Sequence, residues 1–275
     1  MSSIEPNRGL STARTQRIRE DRREEILDRV IEETPVALVY NGKSFAVMMA
    51  TPRDLGDFAL GFALAEGIVA SPAEFELVDV LKIERGVSLQ GLIPHRCFTA
   101  LQQRRRSLAG RSGCGLCGIE SLEDAVRPTP AVASTLRLER AAIAAGMRAL
   151  EGRQPLNAVT GGAHAAAFIT SDGSAIVRED VGRHNALDKL VGAIAATVHD
   201  RDTLLAHTTA GFLAITSRAS WEMVHKAAHA GVAVIVAISA PTSMAIEAAR
   251  TSGITLIAFA RDEAMNVYTH TERVT

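Results

Sequence analysis

The sequence predicts an α/β chain in two unequal parts. A small α+β domain is expected over residues 26–112 and a larger α/β domain over residues 134–275, joined through a CxxC loop and connection at 113–133. Three observations carry this. In the second half, apolar strand-like runs alternate with helical stretches of 10–15 residues, the pattern of a largely parallel sheet covered by helices. In the first half, short apolar runs separated by turn signals surround one helical stretch. Between the halves, residues 109–118 hold four glycines and two cysteines, which reads as a loop.

Taken in order, residues 1–25 hold six Arg, five acidic residues and few apolar ones, and read as a flexible solvated tail that merges into a helix near 22–31. The runs 36–40 and 44–49 flank Asn41-Gly42-Lys43, a hairpin signal because both Asn and Gly tolerate positive φ. Thr51-Pro52 is expected to open a helix, with Thr51 as cap and Pro52 at the first helical position. Strands fit 77–83 and 87–92, and a helix fits 98–108. In the second half, helices fit 138–150, 183–198, 220–230 and 242–250. Strands fit 203–207, 232–238 and 254–259, with a hairpin of 163–170 and 174–177 around Asp172-Gly173.

The chain has 275 residues, 47% apolar, 22% charged and only 4% aromatic, so the core must be aliphatic and a wholly disordered chain is excluded. Thirty basic residues against 31 acidic ones leave a net charge of −1, which argues against a global nucleic-acid surface. The longest uncharged stretch, 227–246, is broken by Gly231, Ser239, Pro241 and Ser243 and falls short of a membrane span. The N-terminus lacks the apolar segment of a signal peptide. A cytoplasmic chain is expected, where three cysteines stay reduced.

The sharpest chemical feature is Cys114-Gly115-Leu116-Cys117. From residue 85 to 119 there are six Arg and no Asp or Glu. Such a positive field favours thiolate over thiol, and the thiolate is the form that attacks sulfur. The pair also reads as half of a zinc site, completed by Cys97 and His95, or as a coincidence. Other clusters fall where strands hand over to helices: Thr160-Gly161-Gly162-Ala163-His164, then 178–189 with Asp180 as a possible cap and Gly182, Arg183 and His184 at a helix start. Ser217 and Arg218, then Ser239, and finally Phe259, Ala260, Arg261, Asp262, Glu263 and Ala264 follow. Strand exits that offer Ser, Thr, Arg and free N–H groups suit a phosphorylated, nucleotide-like ligand. Each of these runs also reads as an ordinary capped turn. No Walker A, GxGxxG, HExxH or zinc-deaminase pair is present.

Together the runs TPRDLGDFALGFALAEGI, SGCGLCG, TGGAHAAAF, REDVGRHNALDKLVGA, SRASWEMVHKAAHAGV, SAPTSMAIEAA and ITLIAFAR resemble the formate dehydrogenase accessory sulfurtransferase family, FdhD, from about residue 34 to 269. The resemblance implies a cytoplasmic homodimer whose larger domain is a cytidine-deaminase-like three-layer α/β unit without the zinc ligands. It implies a sulfurtransferase required for formate dehydrogenase activity. Persulfide sulfur would pass from a cysteine desulfurase to the bis-guanylyl molybdopterin cofactor (Mo-bisMGD) before that cofactor enters the formate dehydrogenase catalytic subunit. By motif position, Cys114 would carry the persulfide with Cys117 assisting, and Phe259 to Ala264 would contact the cofactor. No protein-ligated metal, nucleic acid or membrane is expected. The family pattern commonly has glycine where Asp262 and Ser217 stand here. The alternative is a non-catalytic cofactor carrier or chaperone with a structural or redox CxxC. A nucleoside deaminase, suggested by fold analogy alone, is opposed by the missing zinc ligands.

Overall fold

The computed structural model of the chain describes residues 9–109 and 128–275, without the side chains of residues 104–109. Cys114, Cys117, Arg111 and most of the 113–133 connection lie outside the described residues, as do residues 1–8.

The chain begins with a ribbon, β1 (Leu10–Arg19) and β2 (Arg22–Ile31), paired antiparallel over ten register positions. This corrects two expectations: residues 22–31 are strand rather than helix, and residues 10–25 belong to a regular element. Ile26 with Val30 and Leu27 with Ile31 fit a helical spacing. Yet β2 is exposed along most of its length, so a helix here would have no apolar face to bury. The extended alternative pairs every position with β1 and sets Arg17 opposite Glu24.

The small unit is a four-stranded sheet, ordered β4-β3-β6-β5, of β3 (Thr34–Tyr40), β4 (Lys43–Ala50), β5 (Glu76–Ile83) and β6 (Gly86–Leu92). Asn41 and Gly42 turn with φ of 48° and 77°, the conformation their residue types predict. Helix α1 (Leu55–Ala65) packs on one sheet face with Phe58 and Phe62 buried, and α2 (His95–Ala109) follows. The expected Thr51-Pro52 start is corrected. Asp54, at φ 53°, is the residue before α1, and Thr51 is buried with bonds to the other unit.

The larger unit is a six-stranded sheet ordered β12-β11-β10-β9-β7-β8. Its strands are β7 (His164–Thr170), β8 (Ala175–Asp180), β9 (Gly211–Ile215), β10 (Val234–Ala237), β11 (Thr255–Arg261) and β12 (Ala264–Val267). The three central strands β9, β10 and β11 are parallel, and the flanking strands are antiparallel. Its helices are α3 (Arg140–Glu151), α4 (Pro155–Thr160), α5 (Arg183–Ala195), α6 (Arg201–Thr208), α7 (Trp221–His229) and α8 (Ser243–Ser252). Residues 203–207, expected as a strand, lie within α6. The Asp200 carboxylate accepts the Thr203 N–H and hydroxyl and fixes that helix start. The strand is instead the wholly buried β9, where a side chain on Gly211 would collide with the Ile169 carbonyl.

Helix α5 is buried on every side from Asn185 to Ala195 and belongs to both units. It crosses α1 through Gly61 and Gly192, where any Cβ would strike the opposing backbone. Beside the crossing, Lys189 Nζ donates to Asp180 Oδ2 at 2.6 Å and to the Thr51 carbonyl at 2.8 Å. Lys226 Nζ joins Asp188 at 2.8 Å and Glu66 at 2.9 Å. Burial pushes the Asp188 carboxyl up to about 6 against the pull of Lys226.

Candidate functional site

Strand direction places the candidate residues. Strands β8, β9, β10 and β11 end, and β7 and β12 begin, on the same edge of the six-stranded sheet. Five gaps of ~4.8 Å make that edge ~24 Å long. Along it lie His164 at the start of β7, Asp180 and Gly182–His184 after β8, Ser217 and Arg218 after β9, Ser239 after β10, and residues 259–264 around the β11–β12 turn. The scattered motifs of the sequence thus share one rim, at the carboxyl ends of the parallel strands where open α/β sheets take ligands.

The loops of this rim are tied to one another. Ala219 N–H donates to the Ala240 carbonyl at 3.1 Å and Thr242 N–H to the Ala219 carbonyl at 3.0 Å. Phe259 N–H donates to the Ser239 carbonyl at 3.3 Å. The Thr216 hydroxyl accepts from Ala165 N–H at 2.9 Å, beside His164. Phe259 and Asp262 both adopt left-handed backbone, φ 53° and 54°. Asp is among the few residues other than glycine that take this conformation readily, which suits Asp262 to the turn. Ser217 is buried with its hydroxyl donating to the Arg218 carbonyl at 3.1 Å, and Arg218 is exposed.

A cleft of about 400 Å³ opens at the β9–β11 end of the rim. Thr216, Ile238, Ala260, Arg261 and Asp262 form its strand-side wall, and Met147, Arg148, Glu151, Gln154 and Asn157 the helical one. Glu263 does not face it freely: Arg140 and Arg148 hold its carboxylate at 3.0 and 3.1 Å. The N-terminus of α4 is already occupied, because the Glu179 carboxylate accepts the Leu156 and Asn157 N–H groups at 3.0 and 2.8 Å.

The other end of the rim is the start of α5. Asp180 does not cap α5 as expected. Its Oδ1 accepts from Gly182 N–H and Asn185 Nδ2 at 2.8 and 2.9 Å, and its Oδ2 from Thr51 N–H and Lys189. Arg183 Nε is buried with no hydrogen-bond partner among the described residues. Burial first, then the nearby Arg183 and His184, hold His164 below the ordinary imidazole value.

A second pocket of about 220 Å³, absent from the sequence reading, lies between α1, α5 and α7. His184 Nε2 stands 2.6 Å from Glu222 Oε2, and that bond holds Glu222 below the usual carboxylate range. Trp221 stacks on His225 at 4.8 Å. Thr129 Oγ1, near the return from the CxxC connection, is 3.4 Å from His225 Nδ1. The sequence signal was thin: Trp221 and Glu222 were visible only as the start of a helix.

The zinc alternative is not supported by its described members. His95 and Cys97 stand two positions apart on α2 and so point to different sides. The Cys97 thiol, which burial and Glu74 push up, lies 4.0 Å from Glu74. Among the described residues, no three His, Cys, Asp or Glu side chains gather to hold a metal ion. No helix among them is long and apolar enough to cross a membrane.

The sequence model of the FdhD/NarQ family matches residues 31–275. The chain belongs to that family. It is 51% identical over 271 residues to a sulfur carrier protein FdhD of Xanthomonas campestris pv. campestris, covering 98% of this chain and 94% of the relative. An FdhD of the same description from Bordetella petrii is 47% identical over 248 residues, 90% of this chain and 87% of that one. The fold matches a crystal structure from Desulfotalea psychrophila, provisionally described as a formate dehydrogenase accessory protein. The TM-score is 0.71 at 25% identity, covering 97% of this chain and 99% of that one. FdhD membership thus extends over both sheets, and the rim lies wholly inside the matched residues.

Proposed function

We propose that the chain is a sulfur carrier that serves a formate dehydrogenase in the cytoplasm, receiving sulfur as a persulfide on Cys114 and delivering it to Mo-bisMGD. The observation that carries this reading is the single ~24 Å sheet edge on which the predicted cofactor residues converge. A bis-guanylyl cofactor is an elongated substrate with two pyrophosphates, and the rim offers cations at both ends: Arg261 at the cleft, and Arg183 at the start of α5. Tied loops keep these groups in fixed positions before the cofactor arrives. The relatives described as sulfur carriers support the same reading.

In the loading step the Cys114 thiolate attacks the terminal sulfur of the desulfurase persulfide. The donor's S–S bond breaks, its cysteine leaves as thiolate, and Cys114 gains one sulfur without net oxidation. Attack of Cys117 on Cys114 Sγ would then release hydrosulfide and leave a Cys114–Cys117 disulfide, which an external dithiol must reduce before the next cycle. The six arginines of residues 85–119 favour the thiolate that both steps need.

The test is intact mass after incubation with a cysteine desulfurase and cysteine. Wild type should gain ~32 Da per sulfur atom and Cys114→Ser should gain none, since loading requires the thiolate. Equal loading of both proteins removes Cys114 from the relay. No loading of either favours the carrier with a redox or structural CxxC.

A further inference from the structure

The β1–β2 ribbon is anchored at its base, where Gly9 lies against Thr51 and Leu156, and Ile31 against Gly162. Beyond that base, β1 is exposed from Arg14 to Arg19. Among the described residues β1 pairs with β2 alone, so every second residue of β1 turns its N–H and carbonyl to an open edge. A two-stranded ribbon is marginal in water, and a third strand is what makes such an element stable. The edge is also unguarded. β1 pairs over ten positions without a register shift and holds no proline, whereas the edge strands β4 and β5 are each paired with a shift. Its charge has one sign: Arg14, Arg17 and Arg19, with no acidic residue on the strand. Across the ladder Arg14 stands opposite Leu27 and Arg19 opposite Arg22, so β2 sets an acid only against Arg17, at Glu24. Ile18, between two of the arginines, is 58% exposed.

We infer that the outer edge of β1 takes an extended acidic segment of a partner protein as a third strand of the ribbon. Main-chain hydrogen bonds along an edge of ~33 Å supply the binding, and the side chains select what is bound. Residues directly opposite each other share a face, so carboxylates opposite Arg19, Arg17 and Arg14 meet the three guanidiniums. An apolar residue opposite Ile18 covers its side chain. The partner motif is therefore acidic, apolar, acidic, two neutral residues, acidic, read antiparallel to β1. The same charges argue against a second copy of this strand, because β1 on β1 offers arginine to arginine and no carboxylate. The FdhD/NarQ model begins at residue 31, so β1 lies outside the matched residues, and the inference is independent of the sulfur-carrier reading.

The experiment is fluorescence anisotropy of a labelled peptide, Glu-Val-Glu-Thr-Thr-Glu-Val-Thr-Thr-Val, titrated with the full chain at low salt. Two further peptides carry N-methyl groups on every second residue, one on the odd and one on the even positions. A strand added to an edge turns only alternate residues toward it, so one methylated peptide should bind like the parent and the other should not bind. Attraction by charge alone would treat the two alike. Arg19→Glu should weaken binding about fivefold or more, since reversal replaces an attraction by a repulsion. That variant sets Glu opposite Arg22, which favours the ribbon, so circular dichroism should be unchanged. Arg14→Glu, opposite Leu27, should weaken binding likewise and serves if the first variant fails to fold. Failure of the parent peptide to bind overturns the inference. So does equal binding of the two methylated peptides, or of wild type and a folded charge-reversal variant. A fall in mass by light scattering when peptide is added would show a second copy on this edge instead, and overturns it too.

Discussion

His164 shows how one residue on the rim turns geometry into a pH dependence. It pairs with Asp180 across the β7–β8 ladder, half-buried, with Arg183 and His184 as neighbours. Burial first, then those two neighbours, depress its folded pKa below 6.5, and Asp180 opposes them without prevailing. A group with a depressed folded pKa contributes stability that is present above its unfolded pKa and is lost as pH falls through the folded one. The chain should therefore lose stability from about pH 6.5 downward, because protonating His164 costs more folded than unfolded. His164→Asn removes that proton site, so its urea midpoint should fall less than that of wild type between pH 7 and 5. Parallel falls in the two proteins would show that His164 does not titrate differently on folding. Asp180, by contrast, is a structural residue. Its two oxygens accept four hydrogen bonds inside the protein, which leaves no acceptor for a ligand.

At the scale of elements, the α1–α5 crossing is the tightest joint. A methyl group on Gly61 would overlap the Asp188 carbonyl, and one on Gly192 the Asp57 carbonyl, both rigid backbone. Gly61→Ala should destabilise the protein by about 3 kcal/mol or more, beyond ordinary overpacking, because neither helix backbone can yield alone. At this chain length that is a fall of roughly 10 °C in Tm. Gly152→Ala is the control: φ is −75° and the nearest atom to an added Cβ is 4.0 Å away, so Tm should hold. Equal Tm for Gly61→Ala and wild type would mean the helices slide apart at little cost. Local chemistry made several elements legible in the sequence: Asn41-Gly42 named its turn, and the alternation of 232–259 named β10, α8 and β11. The ribbon was not legible, because four apolar residues in β2 fit a helix and a strand equally well. Residues 203–207 misled for a related reason, since a short apolar run is ambiguous unless the Asp200 cap before it is weighed. The rim residues were found because they sit where strands meet helices. The His184–Glu222 pocket was not, because its walls come from α1, α5 and α7, far apart in sequence.

At the scale of the molecule, the two sheets are joined by more than the 113–133 connection. Helix α5 packs against β7 and β8 on one side and α1 on the other. Lys189, fully buried in the larger unit, donates to the Thr51 carbonyl of the smaller one. Lys226 on α7 pairs with Glu66 just beyond α1. If the larger unit unfolded alone, α1 would lose the floor under Phe58 and Phe62. If the smaller unit left, Lys189 would lose one of its two oxygen partners and the glycine face of α5 would meet water. Parting the units would bare the close-packed α1–α5 contact and break the bonds of Thr51 to Asp180 and Lys189 and of Lys226 to Glu66, so neither unit should persist without the other. Unfolding should therefore be a single transition. The protein supplies its own reporters: its one tryptophan, Trp221, sits at the start of α7 in the larger unit, whereas circular dichroism reads both sheets. Urea curves from Trp221 fluorescence and from circular dichroism should coincide in midpoint and slope. A circular-dichroism step that precedes the fluorescence change would show instead that the smaller sheet melts independently. The buried lysines would then decorate a domain boundary rather than close it.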